Sequence, residues 1–198
     1  MKALVYTGPN SLVFRDEPDP VPLADEVLVR VEAVGICGSD MHAYHGFDAR
    51  RPAPLILGHE AAGCIATGPR AGERVTINPL VVDPSCPYAI EGRWHLSPTR
   101  QIISMPPRPG AFAELVRIPS RNLTPIPDAM PIEHAALAEP VAVSWHAVRI
   151  GMQRLHQPLP ASRVVVLGGG AIGLAAGLVA RLFGARDLLL GETNPLRR

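Results

Sequence analysis

The sequence predicts an α+β chain, with a strand-rich first part followed by a single β–α–β unit. Three observations carry that prediction. Short β-branched segments bounded by Pro, Gly or Asp fill the first part of the chain. Longer helical segments begin only after Pro131. Val164-Val165-Val166-Leu167 then runs straight into Gly168-Gly169-Gly170-Ala171-Ile172-Gly173, the pattern of a buried strand entering a glycine-rich turn.

Taken in order, Lys2 to Tyr6, Leu12 to Arg15 and Glu26 to Val34 read as strands. Ser39 can cap a short helix over Asp40 to Tyr44, which Gly46 ends. Further strands are expected at Ala61 to Ala66, Arg74 to Ile77 and Phe112 to Ile118. Between them Asp83 to Gly110, rich in Pro and polar residues, reads as a long surface excursion. Pro131 opens a helix at its first position. A second helix covers Glu139 to Val148 and closes at Gly151. Val164 to Leu167 is then a strand, Ala171 to Phe183 a helix and Asp187 to Leu190 a strand. The expected domains are residues 1–150 and 151–198. A full sheet of the dinucleotide-binding kind has six strands. Two strands predict an incomplete sheet with an open edge and an uncovered helix face.

Composition narrows the function. The chain has 198 residues, 47% hydrophobic and 19% charged, as in a globular protein. A net charge of +1 gives no electrostatic case for nucleic acid or an anionic membrane. The N-terminus meets Gly8-Pro9 too soon for a signal peptide. No apolar run is long enough to span a bilayer. Three cysteines, odd in number and far apart, fit a reduced, cytoplasmic setting.

Two constellations carry chemistry. Cys37-Gly38-Ser39-Asp40-Met41-His42 and Gly58-His59-Glu60 bring a thiolate, an imidazole and a carboxylate into a short span. Zinc accepts all three, and a catalytic zinc takes three protein ligands and an open position. Gly168, Gly170 and Gly173 form a G-x-G-x-x-G turn that admits a pyrophosphate to a helix N-terminus. Glu192 follows the second strand, where an acid contacts the ribose 2′-hydroxyl and favours NAD over NADP; read blandly, it is a solvated strand end. Arg197 and Arg198 would soften that preference. A metal site ahead of a nucleotide site suggests metal-assisted hydride transfer.

The Cys-Gly-Ser-Asp-x-His run, the Gly-His-Glu run, Leu137-Ala138-Glu139-Pro140 and the glycine turn occur in one order along the chain. In that combination the chain resembles the N-terminal portion of the zinc-dependent medium-chain dehydrogenases of alcohol, polyol and threonine type. The resemblance implies a GroES-like β-barrel catalytic domain followed by a Rossmann domain. It implies zinc ligands at Cys37 and His59, with Glu60 ligating directly or lying just behind. Glu139 resembles the fourth ligand position of the polyol branch and equally suits a helix N-terminal acid. Asp40 resembles the carboxylate that orients a ligand histidine. Ser39 and His42 carry the alcohol proton outward; read blandly, they are an N-cap and an exposed helix residue. Many relatives hold a structural zinc on four cysteines. Here those positions read Asp83, Cys86, Ala89 and Ser97, so the resemblance implies one catalytic zinc and a lost structural site. The expected activity is oxidation of a small alcohol or polyol with NAD, in a homo-oligomer when full-length. The alternative is a truncated, catalytically silent zinc-binding fragment or interaction module. A zinc-free quinone reductase would leave Cys37, His59 and Glu60 without purpose.

Overall fold

The structure, a computed structural model, describes residues 1–197. Arg198, set above beside Arg197, lies outside the described residues. The chain forms two compact units that divide between Leu137 and Ala138. The boundary expected after residue 150 is too late. The helix Ala138–Met152 packs on the helix Ala171–Leu182 and so belongs to the second unit.

In the first unit, β1 (Lys2–Gly8), β2 (Ser11–Asp16) and β4 (Leu55–Ile56) make a three-stranded antiparallel sheet. A five-stranded sheet is ordered β10-β6-β5-β3-β9, with β3 at Glu26–Gly35, β5 at Glu60–Ile65, β6 at Arg74–Ile77, β9 at Leu115–Pro119 and β10 at Leu123–Pro125. Its core rests on alternating inward residues such as Val27, Val29, Val75, Ile77, Val116 and Ile118. A register shift between Val31 and Ala33 interrupts the β3–β5 ladder. A Cβ at Gly63 would run into the Arg30 carbonyl, so the bulged strand needs a bare backbone there. Past the bulge, Val34 pairs with Ala61 and Gly35 with Glu60. The irregularity therefore fixes which residue faces Glu60.

The strand expected from Phe112 starts at Leu115 instead. The preceding residues bond elsewhere: the N–H groups of Gly110, Ala111 and Phe112 donate to the carbonyls of Ile56, Gly58 and Leu57 at 2.7–2.9 Å. The Asp83–Gly110 excursion is not all surface. It contains α2 (Pro87–Ile90), a 3₁₀ turn at Trp94–Leu96 and β8 (Gln101–Ile102), which pairs with β7 (Leu80–Val81). Ile103 and Ser104 behind it are fully buried. Arg108 is also buried, paired with Glu26 at 2.7 Å. The helix α3 (Ile132–Ala136) takes Pro131 as its N-cap rather than its first residue, and packs Ala135 and Ala136 on Ala62.

In the second unit, β11 (Arg163–Leu167) and β12 (Asp187–Gly191) form a two-stranded parallel sheet joined through α5 (Ala171–Leu182). The helix α4 runs from Ala138 to Met152, past Gly151. Its Ser144 hydroxyl donates to the Ile172 carbonyl at 3.2 Å, and Trp145 lies 4.6 Å from Phe183. Leu167 is 87% exposed and Leu182 72%, so apolar surface of both sheet and helix faces outward. No helix among the described residues is long and apolar enough to cross a membrane.

Candidate metal centre

The strand β3 ends at Gly35, and two residues later Cys37 caps the helix α1 (Gly38–Tyr44). Its backbone is extended, at φ −80° and ψ 153°, and its carbonyl accepts the N–H groups of Asp40 and Met41. Ser39 is therefore not the cap expected from the sequence. It sits inside the first turn, because the chain leaves β3 already turned at Cys37. The Ser39 hydroxyl oxygen is buried with no hydrogen-bond partner, the one such side-chain atom among the described residues. A buried orphan hydroxyl is costly unless something binds it. His42 follows at i+3 on the same helix and is exposed.

His59 and Glu60 enter from the turn before β5. Gly58 has φ +87°, a left-handed conformation, and a Cβ there would meet the Phe112 ring at 2.5 Å. Glycine is thus required immediately before the imidazole. Across the ladder, a Cβ at Gly35 would collide with the Glu60 carboxylate. The bare Gly35 backbone gives that carboxylate its place.

These features bring the Cys37, His59 and Glu60 donor atoms within 4.8 Å of one another, with His59 and Glu60 buried and Cys37 half-buried. They form the one group of three or more potential metal donors among the described residues. Asp40, only 2% exposed, ties the two ligand segments together. Its Oδ2 accepts the Cys37 N–H at 3.0 Å and its Oδ1 accepts the Gly58 N–H at 3.1 Å. The same Oδ1 lies 3.8 Å from His59 Nδ1. The Ser104 hydroxyl is nearer, 3.4 Å from that nitrogen. Sequence reading found the donors and Asp40 but missed Gly35 and Ser104. A Gly before a Cys and a Ser in a polar loop carry no local signal.

The donor set fits a zinc ion: one soft and two harder ligands converge, three protein donors as a catalytic zinc takes. An apolar groove of about 860 Å³ in the same unit is lined by Leu12, Phe14, Val34, Ile36, Met41 and Phe112 among others. None of the three donors lines it, but Asp40 does.

In the Asp83–Ser97 lobe, the Cys86 thiol lies 3.5 Å from the Ser97 hydroxyl, and Ala89 is buried. That hydroxyl, together with the backbone N–H groups of Tyr88 and Ala89, holds the thiol below its ordinary pKa. Asp83 accepts hydrogen bonds from Ser85.

In the second unit the turn is built as the glycines predict. Gly168 has φ +105°, Gly170 caps α5, and a Cβ at Gly173 would overlap the Gly168 carbonyl. Glu192 is not a solvated strand end. Its carboxylate accepts the N–H groups of Gly169 and Asn194, both at 2.7 Å. The Asn194 bond, then that of Gly169, lowers its pKa. Glu139 lies in the first turn of α4.

A strand-built unit carrying such a donor triad, with a glycine-turn β–α–β unit after it, is the architecture of a metal-dependent dehydrogenase. Residues 23–128 match the alcohol dehydrogenase GroES-like domain, and the chain belongs to that family of zinc-type medium-chain dehydrogenases. It is 37% identical to a sorbitol dehydrogenase of Bacillus subtilis over 100% of its own length and 57% of the relative's. It is 33% identical to an L-galactonate-5-dehydrogenase of Escherichia coli, over 100% of this chain and 58% of that one. Among solved structures, an Escherichia coli CFT073 short chain alcohol dehydrogenase complexed with NADH superposes with a TM-score of 0.88 at 30% identity, covering 100% of this chain and 58% of that one. The chain thus spans somewhat over half the length of these relatives.

Proposed function

We propose that this chain carries the metal centre and nucleotide turn of a zinc-dependent oxidoreductase that passes hydride from an alcohol or polyol to NAD. The observation that carries the reading is the convergence of Cys37, His59 and Glu60 within 4.8 Å. Cys37, His59 and Glu60 would hold the zinc. Zinc held there would act as a Lewis acid toward an alcohol oxygen. Asp40 keeps the two ligand segments at a fixed spacing through the Cys37 and Gly58 amides. The buried Ser39 hydroxyl would receive the alcohol proton while giving up its own, which would reach the exposed His42 ring by way of the cofactor ribose and leave to water.

Gly168, Gly170 and Gly173 admit the pyrophosphate, and Glu192 disfavours a 2′-phosphate there. The Cys86 lobe holds no structural zinc, since Asp83, Ala89 and Ser97 stand where thiolates would be needed. The partner molecule is a small alcohol or polyol, and a homo-oligomer is the expected assembly of the full-length enzyme.

Metal analysis tests the centre. The purified chain should carry about one zinc, and Cys37→Ser should lose it. Unchanged zinc content in that variant would sink the assignment. Zinc without any alcohol-dependent turnover in the full-length protein would favour the silent binding module.

A further inference from the structure

Ser104 occupies a position that turn chemistry alone would give to another residue. It is fully buried and adopts φ +68°, one of two non-glycine residues with positive φ among those described. The Met105 N–H donates to the Ile102 carbonyl at 3.2 Å, which makes Ser104 the third residue of a tight turn. Glycine or asparagine suits a left-handed third position. A side chain kept in such a conformation points to a role for the side chain.

The hydroxyl's partner is His59. Ser104 Oγ lies 3.4 Å from His59 Nδ1, closer than Asp40 Oδ1 at 3.8 Å, and that Asp40 oxygen already accepts the Gly58 N–H. Behind the turn stands a second buried group. The Arg51 guanidinium, 5% exposed, donates through Nε to the Ser104 carbonyl at 3.0 Å. Its Nη1 pairs with Asp48, whose side chain is also buried. A buried cation shared between the Ser104 carbonyl and Asp48 holds the turn in place.

We propose that Ser104 is a positioning residue for the metal ligand His59. Its hydroxyl engages Nδ1 and so presents Nε2 toward Cys37 and Glu60, while the Arg51–Asp48 pair holds the turn that carries it. This rests on the reading of Cys37, His59 and Glu60 as the metal centre. With Nε2 on the metal, Nδ1 keeps its proton and donates it to Ser104 Oγ, which fixes both tautomer and ring plane.

Cobalt(II) titration of the metal-free full chain tests this. The readouts are the visible d–d bands, the thiolate-to-cobalt absorption and the dissociation constant. Ser104→Ala and Ser104→Gly should each weaken cobalt binding by about 10–100-fold and shift the bands. Metal-free Ser104→Gly should melt no lower than the unmutated chain, because glycine suits φ +68°. Equal affinity and equal spectra in all three chains would overturn the role of Ser104 and leave the metal centre standing. A loss in Ser104→Ala that Ser104→Gly reverses would trace the effect to backbone strain and also overturn it. A Ser104→Gly chain that does not fold would do the same, in favour of a purely architectural role. An unmutated chain without a thiolate-to-cobalt band would remove the metal centre itself and this assignment with it.

Discussion

At the scale of the residue, the donors announce themselves and their supports do not. A thiolate, an imidazole and a carboxylate in close succession are legible because few other tasks need those three types together. Gly35 is silent in the sequence because its task exists only across a ladder. It faces Glu60 through a register that the Val31/Ala33 bulge sets, and no local pattern foretells a bulge. Gly35→Ala should push the Glu60 carboxylate aside. The expected cost is about 1–3 kcal/mol from overpacking and a loss of zinc affinity on the order of tenfold. Zinc titration and thermal melts of the variant would check both, and unaltered affinity would show that Glu60 does not need that space. Ser104 and Arg51 were equally illegible. Ser104 reaches His59 from 45 positions along the chain and Arg51 reaches Ser104 from 53, so packing rather than pattern defines them.

At the scale of the element, strand positions followed from β-branched runs, and the β–α–β unit from its glycines. What went astray were junctions, where one hydrogen bond decides. The cap of α1 moved to Cys37, and the segment before β9 bonded to the ligand turn instead of extending the strand. The loop holding Asp48 and Arg51 gives a pH signature. Hydrogen bonds from Arg50, aided by Arg51, hold the Asp48 carboxyl well below the usual carboxylate range. A depressed folded pKa means stabilisation that is complete above the unfolded value, about 3.9, and fades as pH falls toward the folded one. Asp48→Asn also leaves the Arg51 guanidinium buried without its partner. It should cost about 3–5 kcal/mol at neutral pH, and the gap should narrow progressively below about pH 4. Denaturant melts at pH 7 and pH 3 measure this; a constant gap would contradict it. At the other end, Glu192 bridges β12 and the glycine turn. In the full-length protein, Glu192→Ala should narrow the preference proposed above for NADH over NADPH in fluorescence titrations. Equal binding of both by the unmutated full-length protein would count against its role.

At the scale of the whole molecule, the two-unit organisation was legible, since strand-like and helical stretches separate cleanly near Pro131. The boundary was not, because α4 reads as a continuation of the first part until its contact with α5 is known. The division after Leu137 leaves Cys37, His59, Glu60, Asp40 and Ser104 all on one side. It leaves the glycine turn and Glu192 on the other. The ribosome makes the chain from its first residue onward, so the three proposed donors and the two residues that position them are all in the peptide before Gly168 is joined to it. The order of translation itself thus completes the proposed ion site before the proposed nucleotide turn exists.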